Sequence, residues 1–287
     1  MIEARIRIGN QTFFSTSSIT EPFRYAVVNR FDAFEWFPDL KDSSAGWTEC
    51  DLRKRSRALI RKIARDHDMA MSVHVPWTAN PLKEKSHDVI FRNAELALDI
   101  GASLVNIHFF AEQGIDAYAQ AISPLIEFLA GTTGIRLSIE NVPATGPAAF
   151  NSLFEHLHKL WPQKTSHVGM CLDLGHANLC KDTLNDYLKY VDLLSPQVPI
   201  IHVHMHENYG DHDSHMTIFT GPAGKDPSGI TGLLARLKKR CFSGAIIMEQ
   251  WPEPPSLLNE ARNRLLEMLK VDHAESRLDL RQQMDEN

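Results

Sequence analysis

Two periods run through this chain. Short runs alternate apolar and polar residues, the period of a strand; between them lie longer stretches with apolar residues three and four apart, the period of a helix. The strand pattern falls at residues 4–14, 31–37, 69–76, 104–109, 136–142, 168–173, 200–206 and 245–250. The helical pattern falls at 52–66, 86–100, 116–130, 148–160, 182–194, 228–239 and 255–270, and Gly101 ends the second of these. Eight strands alternating with helices predict an α/β fold, a (β/α)8 TIM barrel. Polar residues near the ends of seven strands, Glu35, His74, His108, Glu140, Asp173, His204 and Glu249, recur at intervals of about 35 residues, the length of one strand–helix unit in such a barrel. A doubly wound open sheet ranks second, because no Gly-rich phosphate turn follows any strand. The barrel is assigned to residues 1–270. Residues 271–287 form a charged C-terminal tail that reads as a solvated helix, a partner-contacting arm or a disordered segment.

Parity within the strands says which way these residues point. Ser72 and His74 alternate with Met71, Val73 and Val75; Asn106 and His108 with Val105 and Ile107; Ser138 and Glu140 with Leu137 and Ile139; Cys171 and Asp173 with Met170 and Leu172; Glu249 stands opposite Ile246 and Met248. The outer face of a closed barrel packs on helices and must be apolar. The His, Asp and Glu residues are therefore expected inside, at the C-terminal mouth where these barrels carry their chemistry.

The densest stretch is Ile201 to His215, which holds five of the chain's 14 histidines. His202, His204 and His206 share one strand face, and Asp211, His212, Asp213 and His215 follow in a loop. Carboxylates and imidazoles converging in a barrel mouth are costly to bury unless something pairs them. A divalent cation does so, and this donor set suits zinc, manganese, iron or cobalt. The alternative is an internal His–carboxylate hydrogen-bond network without metal. Aromatic residues just past the strand ends, Trp77, Phe109, Phe110 and Trp251, are placed to exclude water or stack on a substrate face, or simply to pack under loops.

Composition narrows the partners. With 30 basic and 36 acidic residues the chain carries −6 and offers no general pull toward nucleic-acid phosphate. Its four cysteines lie far apart with no CxxC pair, which fits reduced thiols in a cytoplasmic protein. The N-terminus lacks the apolar stretch of a signal peptide and no run reaches membrane-spanning length. A homo-oligomer stays open.

Several motifs in fixed order bear a family likeness: Ser72-Val-His-Val-Pro-Trp77 with Asn80, Ile139-Glu-Asn141, Cys171-Leu-Asp-Leu-Gly-His-Ala177, His202-Val-His-Met-His-Glu-Asn208, Asp213-Ser-His215, Gly221-Pro-Ala-Gly224 and Met248-Glu-Gln250. From about Ile6 to Pro252 the chain resembles the xylose-isomerase-like barrels, which join sugar isomerases and epimerases with the tri-zinc apurinic/apyrimidinic endonucleases. The resemblance implies a core metal site of Glu140, Asp173, His204 and Glu249. It also implies a larger endonuclease-type set that adds His74, His108, His176, Asp213 and His215, with one to three ions of zinc, manganese, cobalt or magnesium. The leading expectation is a sugar or sugar-like isomerase or epimerase, the substrate possibly phosphorylated, with Glu140 and Glu249 exchanging a proton through an enediolate. Gly146 stands where ketose 3-epimerases often carry an acid. The alternative is a zinc-dependent phosphodiesterase of the apurinic endonuclease type; against it His108-Phe-Phe110 replaces the usual His-Pro-Gly. His176, His206, Glu35, Trp77 and Lys225 are the expected substrate contacts, and His202 is expected to be a core hydrogen-bonder.

Overall fold

Eight parallel strands close on themselves in sequence order: β1 (Arg7–Gln11), β2 (Ala33–Trp36), β3 (Ala70–His74), β4 (Leu104–His108), β5 (Arg136–Glu140), β6 (Val168–Asp173), β7 (Ile200–Met205) and β8 (Ala245–Met248), with β8 pairing back onto β1. The structure is a computed structural model that describes residues 5–285 except 14, 17, 42 and 133, and of residues 132 and 271–285 only the backbone. Around the barrel run α1 (Glu21–Val28), α2 (Lys54–Asp66), α3 (His87–Ile100), α4 (Ile115–Thr132), α5 (Pro147–Leu160), α6 (Leu174–Leu179), α7 (Tyr187–Leu193), the single turn α8 (Pro222–Lys225), α9 (Ser228–Lys239) and α10 (Ser256–Asp285). This is a (β/α)8 TIM barrel, as the alternating pattern predicts.

The core lies between strands and helices and is made by the apolar parity. Phe34, Trp36, Val73, Val105, Ile107, Leu137, Ile139, Met170, Leu172, Val203, Met205, Ile246 and Met248 are all buried under the helical ring. The opposite parity fills the lumen with Glu35, Ser72, His74, Asn106, Ser138, Glu140, Cys171, Asp173, His202 and His204, also buried. Strand register sets their heights: His108 lies beside Glu140, Glu140 beside Cys171, and Asp173 beside His204. Carboxylates and imidazoles from neighbouring strands thus meet at one level near the mouth.

Three elements depart from the periodicity. Helix α1 was not expected; it buries only Pro22, Phe23 and Ala26, too few for a visible stripe, although Glu21-Pro22 is a helix-opening pair. The expected helix over 182–194 is broken. A 3₁₀ turn covers Lys181–Thr183, Asn185 adopts φ 60°, and the Asp186 carboxylate caps a new helix by accepting from the Lys189 amide at 2.9 Å. Helix α10 runs past Lys270 to Asp285, while the side chains of the tail fall outside the described residues. Gly101 ends α3 at φ 75°, the left-handed cap its position predicts. Among the described residues no helix is long and apolar enough to cross a membrane.

Close strand packing supplies a stability test. A Cβ on Gly9 of β1 would sit 2.3 Å from the Ala33 carbonyl oxygen and 2.9 Å from the Ala33 Cβ of β2. Gly9→Ala is expected to lower the urea midpoint by an amount equivalent to about 1–3 kcal/mol, the usual cost of overpacking. An unchanged midpoint would show that β1 and β2 can separate freely at this level.

Candidate metal centre

The last residues of β3 to β6 carry their side chains into the mouth, and Glu140 stands at the middle. It is 1% exposed. Its Oε2 lies 3.0 Å from His74 Nε2 and 3.2 Å from His204 Nδ1, and accepts from Asn106 Nδ2. Its Oε1 lies 3.3 Å from His108 Nε2 and 3.4 Å from His176 Nδ1. Both oxygens are therefore held from several sides at once.

Three overlapping donor groups follow. His74, His108 and Glu140 form the first. Around His204 Nδ1 gather Glu249 Oε1 at 3.0 Å, Glu140 Oε2 at 3.2 Å and Asp173 Oδ2 at 4.0 Å, which make the second. His176, His206, Asp213 and His215 form the third, with Asp213 Oδ2 3.2 Å from His176 Nε2 and 3.1 Å from His215 Nε2. All nine residues implied by the larger ligand set meet in one mouth.

The ring nitrogens are set as a cation would require. His74 donates Nδ1–H to the Val75 carbonyl at 2.7 Å, and His176 donates Nδ1–H to the Asn141 carbonyl at 2.8 Å, so each turns Nε2 toward the carboxylates. His204 directs Nε2 at Glu35 Oε1, 2.8 Å away, and turns Nδ1 into the cluster. Tying one nitrogen to a carbonyl and freeing the other, as in His74 and His176, is the arrangement that orients metal-binding imidazoles. Meanwhile Asp173 Oδ2, Glu249 Oε2, His215 Nδ1 and both nitrogens of His204 and His206 are buried without a properly aligned hydrogen bond. His204 Nδ1 lies 4.0 Å from Asp173 Oδ2, and His215 Nδ1 3.9 Å from Glu249 Oε2, too far for hydrogen bonds, so a cation between them would satisfy both sides. The residues present fit divalent ions.

Imidazolium offers the carboxylates the other route to charge balance. Burial drives Glu140 upward, but His108, His204 and His74 outweigh it and hold its carboxyl well below the usual range. Burial likewise opposes charge on His176, and Asp173, Asp213 and Glu140 override it, so its pKa stands well above the ordinary value. His215 is raised to about 9: burial works against its charge, and Asp213 with Glu249 more than offsets that.

The mouth opens into a cavity of about 580 Å³. Phe13, Phe37, Trp77, Phe110, Val142 and Pro143 wall it, and its cation Lys41 is paired with Asp39 at 2.6 Å. Trp77, half exposed at the rim, and His176 line it as expected substrate contacts. Three expected contacts lie elsewhere. Glu35 is fully buried beneath His204, hydrogen-bonded to Ser72 at 2.7 Å and to His202 at 2.9 Å, so no substrate reaches it. His206 is buried, with its ring stacked on His215 at 4.0 Å. Lys225 ends α8 on the exposed surface and does not line this cavity. His202 bonds Glu35 in the core, as expected.

Two supporting residues escaped the sequence reading. Gln11 lines the cavity, donates to the Glu249 carbonyl at 3.3 Å and leaves its own buried Oε1 without a partner. Glu207 ties down the loop bearing Asp213 and His215. Its backbone exchanges two 2.9 Å hydrogen bonds with Met216, and its carboxylate accepts from the amides of Gly221 at 2.9 Å and Ala223 at 2.6 Å. Gly175 gives the other local signal: a Cβ there would lie 1.9 Å from His206 Cε1, so only glycine lets that ring reach the site.

Comparison with known proteins agrees with this architecture. An uncharacterized protein of Methanocaldococcus jannaschii is 25% identical over 174 residues, which cover 56% of this chain and 64% of that protein. The endonuclease IV structure from Thermus thermophilus superposes with a TM-score of 0.63 at 19% identity, covering 92% of this chain and 99% of that one. A D-psicose 3-epimerase structure superposes with a TM-score of 0.61 at 17% identity, covering 88% and 89%. The family described as xylose isomerase-like TIM barrel matches residues 23–269, and the chain belongs to it.

Proposed function

We propose that this barrel is a divalent-metal hydrolase of phosphate esters carried by a compact, partly apolar molecule. The observation that carries the reading is the convergence of these donors in one mouth, linked by two carboxylates: Glu140 reaches His74, His108, His176 and His204, and Asp173 reaches His176, His204 and His206. A single-ion isomerase needs only the quartet Glu140, Asp173, His204 and Glu249. It would leave His74, His108, Asp213 and His215 without a task. Glu140 also fits poorly as a proton shuttle: both its oxygens are held by imidazoles, and a base working on carbon needs one oxygen facing the substrate.

The three groups would hold divalent ions, which would lend Lewis-acid charge to a phosphoryl oxygen and lower the pKa of a bound water. The chain's own residues do the positioning. Glu35 fixes the His204 ring from below, and the Val75 and Asn141 carbonyls fix His74 and His176. Asn141 also accepts from the Asp173 amide at 2.8 Å through its Oδ1 and holds that strand end. The aromatic wall keeps bulk water away from the mouth and takes the apolar part of the substrate. With Lys41 committed to Asp39 and a net charge of −6, the site does not suit duplex nucleic acid.

A sugar isomerase is the second reading, favoured by the core quartet and by a cavity sized for one small molecule. The two part on metal count and product. Protein purified without chelators is expected to hold more than one divalent ion per chain and to release phosphate or alcohol from small phosphate mono- or diesters. One exchangeable ion, no ester cleavage and deuterium uptake from solvent into a ketose would overturn the hydrolase reading in favour of the isomerase.

Removing His108, which belongs to no mononuclear quartet, sharpens the comparison. His108→Ala is expected to lower ester turnover by on the order of 100-fold and to remove one ion. Unchanged turnover would count against the first ion position. Glu35→Gln, far from any substrate, is expected to weaken metal retention by about 10–100-fold in chelator competition while the far-ultraviolet spectrum stays native. Equal retention in the variant would show that Glu35 does not orient His204.

A further inference from the structure

The end of the barrel opposite the metal centre holds a larger cavity, about 720 Å³, between the starts of β5, β7 and β8 and the helices α7 and α9. Its cations are Arg136, Arg236, Lys239 and Arg240, and Asp192 is the one acid among its lining residues. In a chain of net charge −6 this is a local reversal. Asp192 is used up by Arg236, which grips it with two hydrogen bonds of 2.7 and 2.6 Å. Arg240 donates to the backbone carbonyls of Val191, Leu194, Ser195 and Val198, which satisfy its N–H groups but leave its charge unbalanced. Lys239 is exposed.

Arg136 is the distinctive group. It opens β5 with the inward parity of Ser138 and Glu140, so it points into the barrel base. There it is half-buried, and among the described residues its guanidinium has neither a hydrogen-bond nor an ion-pair partner. Burial pushes its guanidinium below the usual value with no carboxylate to offset it. A second cavity of about 280 Å³ shares Arg136 and adds Arg5 and Arg7, which are themselves paired with Asp32 and Asp68. A guanidinium has five donors in a fixed fork matched to oxyanions, and leaving it half-buried and unpaired is costly. Val191, Leu194, Val198 and Ile200 give the cavity an apolar wall beside that fork.

We propose that this cavity is a second ligand site, distinct from the metal centre, for a small organic oxyanion. The phosphate or carboxylate head sits on Arg136, with Lys239 near, and the apolar body lies against Val191, Leu194 and Val198. The volume suits such a molecule, and charge-assisted bonds from a half-buried guanidinium supply the anchor. Nothing in this depends on how many metal ions the other end holds.

Calorimetric titration of the full chain with phenylphosphonate, benzoate and inorganic phosphate tests the site. Saturable binding is expected, tighter for an aryl oxyanion than for inorganic phosphate; whichever of the two aryl ligands binds more tightly identifies the head group. Arg136→Met is expected to weaken it by about 10-fold or more, the loss of one charged hydrogen-bonding partner. Lys239→Glu reverses an exposed charge without touching the core and is expected to weaken binding several-fold, so the test survives if Arg136→Met misfolds. Trp77→Ala, at the other mouth, is expected to leave this affinity unchanged. Absence of saturable binding at millimolar ligand, affinity indifferent to both charge changes, or loss in Trp77→Ala would overturn the proposal.

Discussion

A buried carboxylate must be given positive charge, and that demand shapes the C-terminal mouth of this barrel. Glu140 is 1% exposed and faces four imidazoles. Asp173, Glu249 and Asp213 crowd the same mouth. Isolated, each ionised group would cost several kcal/mol of desolvation. Protonated imidazoles satisfy the demand in part, and the pKa directions show them doing so. But His204 and His206, whose ring nitrogens have no hydrogen-bond partner, and His74 and His176, each tethered through Nδ1, describe donors arranged for cations. The same demand explains the layering below. Glu35 sits under His204 and is itself stabilised by His202, so charge compensation continues down the lumen before apolar packing resumes.

Much of this was legible because strands have a period of two and a barrel has an inside. Alternation assigned the site-bearing residues to the lumen face, from Ser72 and His74 to Glu249, and near-regular spacing implied closure. Depth was not legible. Parity places Glu35 inward exactly as it places Glu140, yet only the register, with Glu35 beside Ser72 and His108 beside Glu140, shows that Glu35 lies below the floor and Glu140 at it. A residue read as a substrate contact is thereby a support for His204. Lys225 failed for a related reason: the Gly-rich turn before it suggested a substrate loop, but α8 carries its end to the surface.

Loops hid the remainder. Glu207 looked like one more acid in a His-rich run, and nothing local reveals that its carboxylate closes on amides 14 and 16 residues later. The broken helix near residue 186 is similar, because the Asp186 cap overrides an apolar spacing that by itself continues. Gly175 was visible only as part of a motif. Its physical reason, the approach of the His206 ring, exists only once β6 and β7 are side by side.

The two ends of the barrel now stand in contrast. At the C-terminal mouth acids and imidazoles outnumber fixed cations, so the site is built to recruit positive charge from outside the chain. At the base, arginines outnumber acids and one guanidinium lies half-buried without a partner, so that end is built to recruit negative charge. Strand β5 runs from Arg136 to Glu140 and joins the two, five residues carrying opposite demands at their ends. Such polarity is not required for stability. A base filled with paired charges or apolar side chains would hold the strands as well, and Arg5 and Arg7 show that this chain pairs its arginines where pairing is all that is needed. The exception at Arg136 is therefore informative: where Arg5, Arg7 and Arg236 at the same end have carboxylate partners, this guanidinium is left open, facing a cavity large enough to hold the balancing group.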